Sequence, residues 1–91
     1  MLKDDIMGQA LENLRARRVT INLETSLTDS AGAEIKAVVL DLSRDGVRLQ
    51  VGEPLFVGEL LELQMGRSGY AKVRVLWVAG IEAGGIFLDL H

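Results

Sequence analysis

Apolar and polar residues alternate along the chain from residue 19 to its end. A period of two is typical of half-buried strands, because successive side chains point to opposite faces of a sheet. Gly, Asp, Ser and Pro cluster between the alternating runs, as expected for tight turns. Closing such strands into a barrel removes exposed edges, so we predict an all-β, six-stranded antiparallel barrel. The predicted strands cover residues 19–24, 34–42, 47–51, 60–65, 70–78 and 86–90, with a glycine-rich turn at 80–85.

The first 18 residues follow a different period. Met7, Leu11 and Leu14 recur at helical spacing, which predicts an α-helix over about residues 4–16. Acidic residues precede this stretch and arginines follow it, an arrangement that suits the helix dipole. We therefore divide the chain into an N-terminal helix and arginine arm, residues 1–18, and a barrel, residues 19–91.

Composition excludes several classes of function. The chain of 91 residues has no cysteine, and its single histidine is the terminal residue, so a catalytic histidine, a thiolate nucleophile or a metal cage is not expected. A net charge of -3 and an aromatic content of 4% argue against a DNA- or RNA-binding barrel. No apolar run long enough to span a membrane and no secretory signal is recognisable. We expect a soluble, cytoplasmic protein that is not an enzyme and needs no cofactor.

Two local patterns are candidates for a binding site. The stretch Asp41-Leu42-Ser43-Arg44-Asp45-Gly46 combines a carboxylate, a hydroxyl and a glycine where the second strand gives way to the third. It is compatible with an ordinary turn, in which Ser43 bonds its own backbone and Gly46 takes a positive φ. It is also compatible with a loop in which Asp41 accepts N–H groups and Ser43 donates to a phosphate.

The second pattern is an arginine cluster directly before the first strand. Arg15, Arg17 and Arg18 concentrate positive charge on an otherwise acidic chain. Arginine binds phosphate and the guanine edge through paired hydrogen bonds, although a solvated helix end would also favour it. Trp77, in the fifth strand, is interpreted as core or rim packing rather than as a ligand contact.

Taken together, these patterns resemble the PilZ domain family of bacterial receptors for cyclic di-GMP. Asp41, Ser43 and Gly46 match the family motif [Asn/Asp]-x-Ser-x-x-Gly in full, and residues 85–89 are similar to its closing strand. Arg18 fits the second arginine of the family's Arg-x-x-x-Arg motif, whereas the position four residues earlier is Leu14. Arg15 or Arg17 would have to substitute for the first arginine.

The resemblance implies a function for each of these residues. Arg18, with Arg15 or Arg17, would hold phosphate and guanine, Asp41 would accept guanine N–H groups, Ser43 would meet phosphate, and Gly46 would give clearance. The expected function is a cyclic di-GMP receptor or adaptor that relays the second messenger to a protein partner. The alternative is a degenerate PilZ-like interaction module without nucleotide binding. We also expect the N-terminal helix to cover the open end of the barrel, although a dimer contact would equally use its apolar face.

Overall fold

The computed structural model describes residues 19–88, which form a closed six-stranded barrel. The strands are β1 (Val19–Thr28), β2 (Glu34–Leu42), β3 (Gly46–Val51), β4 (Leu60–Gln64), β5 (Tyr70–Ala79) and β6 (Glu82–Phe87), with a short 3-10 helix at Gly66–Ser68. Around the barrel the order is β1-β2-β3-β6-β5-β4, and every neighbouring pair is antiparallel. The predicted fold class is confirmed. The predicted N-terminal helix lies outside the described residues.

The core is the inner face of the barrel, filled almost entirely by aliphatic side chains. Leu27, Val39, Leu49, Leu63 and Val73 are nearly or completely inaccessible to solvent. They come from five different strands at the inward positions of the pleat, as a period of two requires. Val19, Ile21 and Phe87 are only partly buried and pack against this core.

The barrel closes between β1 and β4 through a short ladder. Leu27 pairs with Leu63 and Thr28 with Glu62. Beyond this ladder, the hydroxyl of Thr25 donates to the carbonyl of Gln64 at 3.2 Å, and the hydroxyl of Ser26 donates to its side-chain oxygen at 3.1 Å. These side-chain hydrogen bonds extend the contact between β1 and β4 beyond the last backbone pair.

The prediction of a glycine-rich turn at 80–85 is wrong. The turn is confined to Gly80 and Ile81, and β6 already begins at Glu82, so Gly84 and Gly85 belong to the strand. Both positions need glycine because neighbouring atoms leave no room for a Cβ, and not because the chain turns there. A Cβ on Gly85 would lie 2.5 Å from a methyl group of Val73 and 2.6 Å from the Arg74 carbonyl oxygen.

Two bulges change which residues point outward. On β2 the register with β3 shifts between Val39 and Asp41, and on β5 the register with β6 shifts between Val75 and Trp77. Val39 and Val75 point into the core, so strict alternation would also turn Asp41 and Trp77 inward. The extra residue in each bulge reverses that phase and places both side chains on the outer surface.

Candidate functional site

One row of residues crosses four strands on the outside of the barrel. Asp41 on β2 is opposite Arg48 on β3, Arg48 is opposite Gly84 on β6, and Gly84 is opposite Trp77 on β5. Paired residues in a sheet point to the same face. The row therefore places a carboxylate, a guanidinium and an indole on one surface, with a glycine between the last two.

An open pocket of about 430 Å³ lies over this row. That volume is within the range of small-molecule sites. The loop between β2 and β3 forms one wall, and Leu76, Trp77 and Ile86 contribute apolar surface. The full lining is Asp41, Ser43, Asp45, Gly46, Val47, Arg48, Leu76, Trp77, Gly85 and Ile86.

All three residues of the predicted loop motif line this pocket. Asp41, Ser43 and Gly46 are brought together there, as expected for a shared site. Arg44, the exposed residue at a variable position of the motif, does not line it. Arg15, Arg17 and Arg18 lie outside the described residues, so their predicted role stays a prediction.

Hydrogen bonds hold the loop in a fixed shape. The backbone N–H of Ser43 donates to the carbonyl of Gly46 at 2.8 Å, and the N–H of Gly46 donates to Ser43 Oγ at 3.1 Å. The next part of the loop is tied to β6, because the N–H of Phe87 donates to the carbonyl of Asp45 at 2.9 Å. Ser43 thus bonds its own loop as predicted, and its side chain faces the pocket.

Gly46 has a different function from the one that turn chemistry suggests. Its φ is not positive, so the expectation of a left-handed glycine in the turn is wrong. Gly46 instead lies against β6, where an added Cβ would be 2.7 Å from the carbonyl oxygen of Gly85. Glycine is required here because the loop and β6 approach each other too closely for a side chain.

Asp41 and Arg48 form the main charged contact of the site. Arg48 Nε donates to Asp41 Oδ2 at 2.8 Å, and Nη1 of the same guanidinium donates to Glu82 Oε1 at 3.1 Å. The Asp41 side chain is 6% exposed, whereas that of Arg48 is 43% exposed. The hydrogen bond to Asp41 and the attraction of its charge raise the pKa of Arg48, so this group stays protonated.

Sequence reasoning did not single out Arg48, and it interpreted Trp77 as core or rim packing, of which the structure shows the rim position. Arg48 is at one of the polar positions that alternate with buried residues along β3, where arginines usually face solvent. The sequence alone therefore does not distinguish an arginine of a binding site from an ordinary solvated one. Trp77 is 40% exposed and lies outside the core. One signal was available for β2 alone, since a regular strand would have buried the Asp41 carboxylate in an aliphatic core, which is costly.

Comparison with protein families agrees with this geometry. The model for the PilZ domain matches residues 12–91. The chain belongs to the PilZ family. PilZ domains are cyclic di-GMP receptors, and they are binding domains, not catalytic ones. No curated protein is significantly similar to the chain.

Residues 19–88 contain no cluster of side chains suited to hold a metal ion. No helix in that range is long and apolar enough to cross a membrane.

Proposed function

We propose that this PilZ domain binds cyclic di-GMP in the pocket over the Asp41–Trp77 row and relays its level to a protein partner in the bacterial cytoplasm. The observation that carries the proposal is the convergence of Asp41, Ser43 and Gly46 on one pocket. These residues match the family's ligand-binding motif, and hydrogen bonds between Ser43 and Gly46 brace the loop that bears them. A preformed loop spends less binding free energy on ordering.

The chemistry of the pocket fits a guanine base better than a phosphate. Asp41 provides carboxylate oxygens that accept N–H groups, and Leu76, Trp77 and Ile86 offer apolar surface to a flat ring. The charged residues lining the pocket are Asp41, Asp45 and Arg48, which together carry one net negative charge. A ligand with two phosphates needs more positive charge than this lining supplies.

The arginine arm supplies that charge in our proposal. Residue 18 directly precedes Val19, which is opposite Leu42 within the loop motif, and Thr20 is opposite Asp41. The register of β1 on β2 therefore brings the chain into the barrel beside the motif. Arg18, with Arg15 or Arg17, would bind the phosphates from this side, and ordering of the arm would be the signal that the partner reads.

Amide NMR of the intact chain tests where the ligand binds. Titration with cyclic di-GMP should shift the amides of residues 43–46 and 84–86 and the indole N–H of Trp77. Residues 29–33, in the turn between β1 and β2, provide an internal reference at the opposite end of β2 from the motif. Shifts confined to that turn, or none at all, would favour the alternative of a degenerate module that acts through protein contacts alone.

A further inference from the structure

We propose that Arg48 is a positioning residue for guanine recognition: it fixes the Asp41 carboxylate in the orientation that reads the base, and Glu82 fixes Arg48 in turn. The inference rests on the proposed function and extends it to the selectivity of the site. It concerns a residue outside both the loop motif and the arginine arm.

Asp41, Arg48 and Glu82 are linked by hydrogen bonds into a chain across the sheet, which we call the relay. One guanidinium bonds two carboxylates through different nitrogens, Nε to Asp41 at 2.8 Å and Nη1 to Glu82 at 3.1 Å. Asp41 is on β2, Arg48 on β3 and Glu82 on β6, so three strands hold the arrangement. A planar guanidinium held at two points has little freedom to rotate.

Burial differs among the three members of the relay. Asp41 is on the outer face of the sheet, yet its side chain is almost fully shielded from solvent. The side chains of Arg48 and Glu82 are 43% and 38% exposed. A buried carboxylate requires hydrogen bonds that compensate for lost water. Arg48 provides one of these to Oδ2. An ionised carboxylate has about four lone-pair positions and can accept several hydrogen bonds at once.

The consequence concerns selectivity between purine bases. Guanine presents an N1–H and a 2-amino group side by side, and a carboxylate accepts both only if its plane is held in line with them. Hypoxanthine presents the N1–H without the 2-amino group. Loss of the Arg48 contact should therefore reduce the preference for guanine over hypoxanthine, whereas general loss of stability would weaken both ligands alike.

Calorimetric titration of four proteins with two ligands tests this inference. The proteins are the wild type, Arg48→Gln, Arg48→Lys and Arg44→Gln, and the ligands are cyclic di-GMP and its hypoxanthine analogue, cyclic di-IMP. Arg44→Gln is the matched control, because it removes the same charge from the neighbouring loop. Arg48→Lys keeps the charge but lacks the planar fork that bonds both carboxylates.

We expect Arg48→Gln to weaken cyclic di-GMP about tenfold, with a clearly smaller effect on cyclic di-IMP. Arg48→Lys should also lower the ratio of the two affinities, and Arg44→Gln should preserve it. Equal losses for both ligands, or an unchanged ratio in both Arg48 variants, would overturn the inference while leaving the proposed function intact. Failure of the wild type to bind either ligand would overturn both.

Thermal unfolding of each variant beforehand shows whether it is folded. If Arg48→Gln does not fold, Glu82→Gln provides the same test from the other end of the relay. It leaves Arg48 and Asp41 in place but removes the charge that holds the guanidinium. A lowered ratio in Glu82→Gln supports the relay, and a wild-type ratio contradicts it.

Discussion

The indole of Trp77 lies against Gly84, its cross-strand partner on β6, so closely that a Cβ on Gly84 would overlap the ring. The bulge at Leu76 turns Trp77 onto this face, and the glycine provides the space that the ring occupies. The contact between the indole and the β6 backbone needs both the bulge and the glycine. Trp77 lines the pocket at the opposite end of the row from Asp41, and Gly84 leaves room for its ring there.

Replacing Gly84 with alanine should displace the indole. The added methyl group overlaps the ring itself, which cannot fold away as a flexible side chain would. We expect a red shift of the tryptophan fluorescence and a Tm lower by several degrees, since overpacking costs about 1–3 kcal/mol. Trp77 is the single tryptophan, so the emission reports this site alone.

The matched control is Gly52→Ala. Gly52 does not have a positive φ, and an added Cβ there would meet no atom within 4 Å. Unchanged fluorescence in Gly84→Ala, or an equal change in Gly52→Ala, would contradict the packing of Trp77 on Gly84.

Replacing Gly46 with alanine should separate the loop from β6. A Cβ at this position would be 2.7 Å from the carbonyl oxygen of Gly85, a backbone atom that cannot swing away. We expect a loss of about 1–3 kcal/mol in the free energy of unfolding, measured by urea denaturation. A loss of ligand binding with no change in stability would instead mean that Gly46 serves the ligand alone.

Glu59 should make the stability of the barrel depend on pH in the acid range. Partial burial acts to raise its pKa, but hydrogen bonds from the Phe56 N–H and from the hydroxyl and N–H of Ser30 outweigh it. The pKa of Glu59 is therefore lowered from its ordinary value of 4.5. A carboxyl group with a lowered pKa in the folded state stabilises it fully above the ordinary value, and the stabilisation is lost as the pH falls through the lowered pKa.

Thermal unfolding of the wild type and Glu59→Gln at several pH values checks this. The Tm difference between them should be largest near pH 7 and should shrink below about pH 4.5, where the wild type also loses its carboxylate. Glu53→Gln is the control, since Glu53 is exposed in the segment that leads to β4. A difference that stays constant down to acid pH would rule out the carboxylate as the cause.

Arg18→Ala should weaken cyclic di-GMP binding more than Arg44→Ala does. The loss of a charge-assisted hydrogen bond reduces affinity by roughly tenfold to a hundredfold. Arg44 is the control because it lies within the loop motif and yet does not line the pocket. Equal losses in the two variants would show that only overall charge matters and that Arg18 has no specific contact.

Much of the barrel could be predicted from the pattern of residues. The bounds of β2 agree with the prediction at both ends, because Ile35, Ala37 and Val39 alternate strictly with exposed or half-buried neighbours. The prediction was wrong at β6, where Gly84 and Gly85 were interpreted as a turn. A glycine within a strand often marks a place where another group packs too closely for a side chain. That group can belong to a different strand, so the local sequence pattern does not predict it.

The site could be predicted only where its residues are contiguous. Asp41, Ser43 and Gly46 are recognisable because they form one short motif. Arg48 and Trp77 could not be assigned to the site, because two bulges decide which face Asp41 and Trp77 occupy. A bulge shifts the phase of every later residue by one, and period-two reasoning assumes that no such shift occurs.

Whether this chain binds cyclic di-GMP is decided by calorimetric titration of the intact wild-type chain with that ligand. We predict saturable binding, accompanied by a rise in Tm because the ligand stabilises the folded state. Cyclic di-AMP, which has the same phosphate ring but lacks the guanine N–H edge, should bind more weakly. The absence of heat and of a Tm shift at high ligand concentration would rule out cyclic di-GMP as the ligand and leave a PilZ domain that works through protein contacts only.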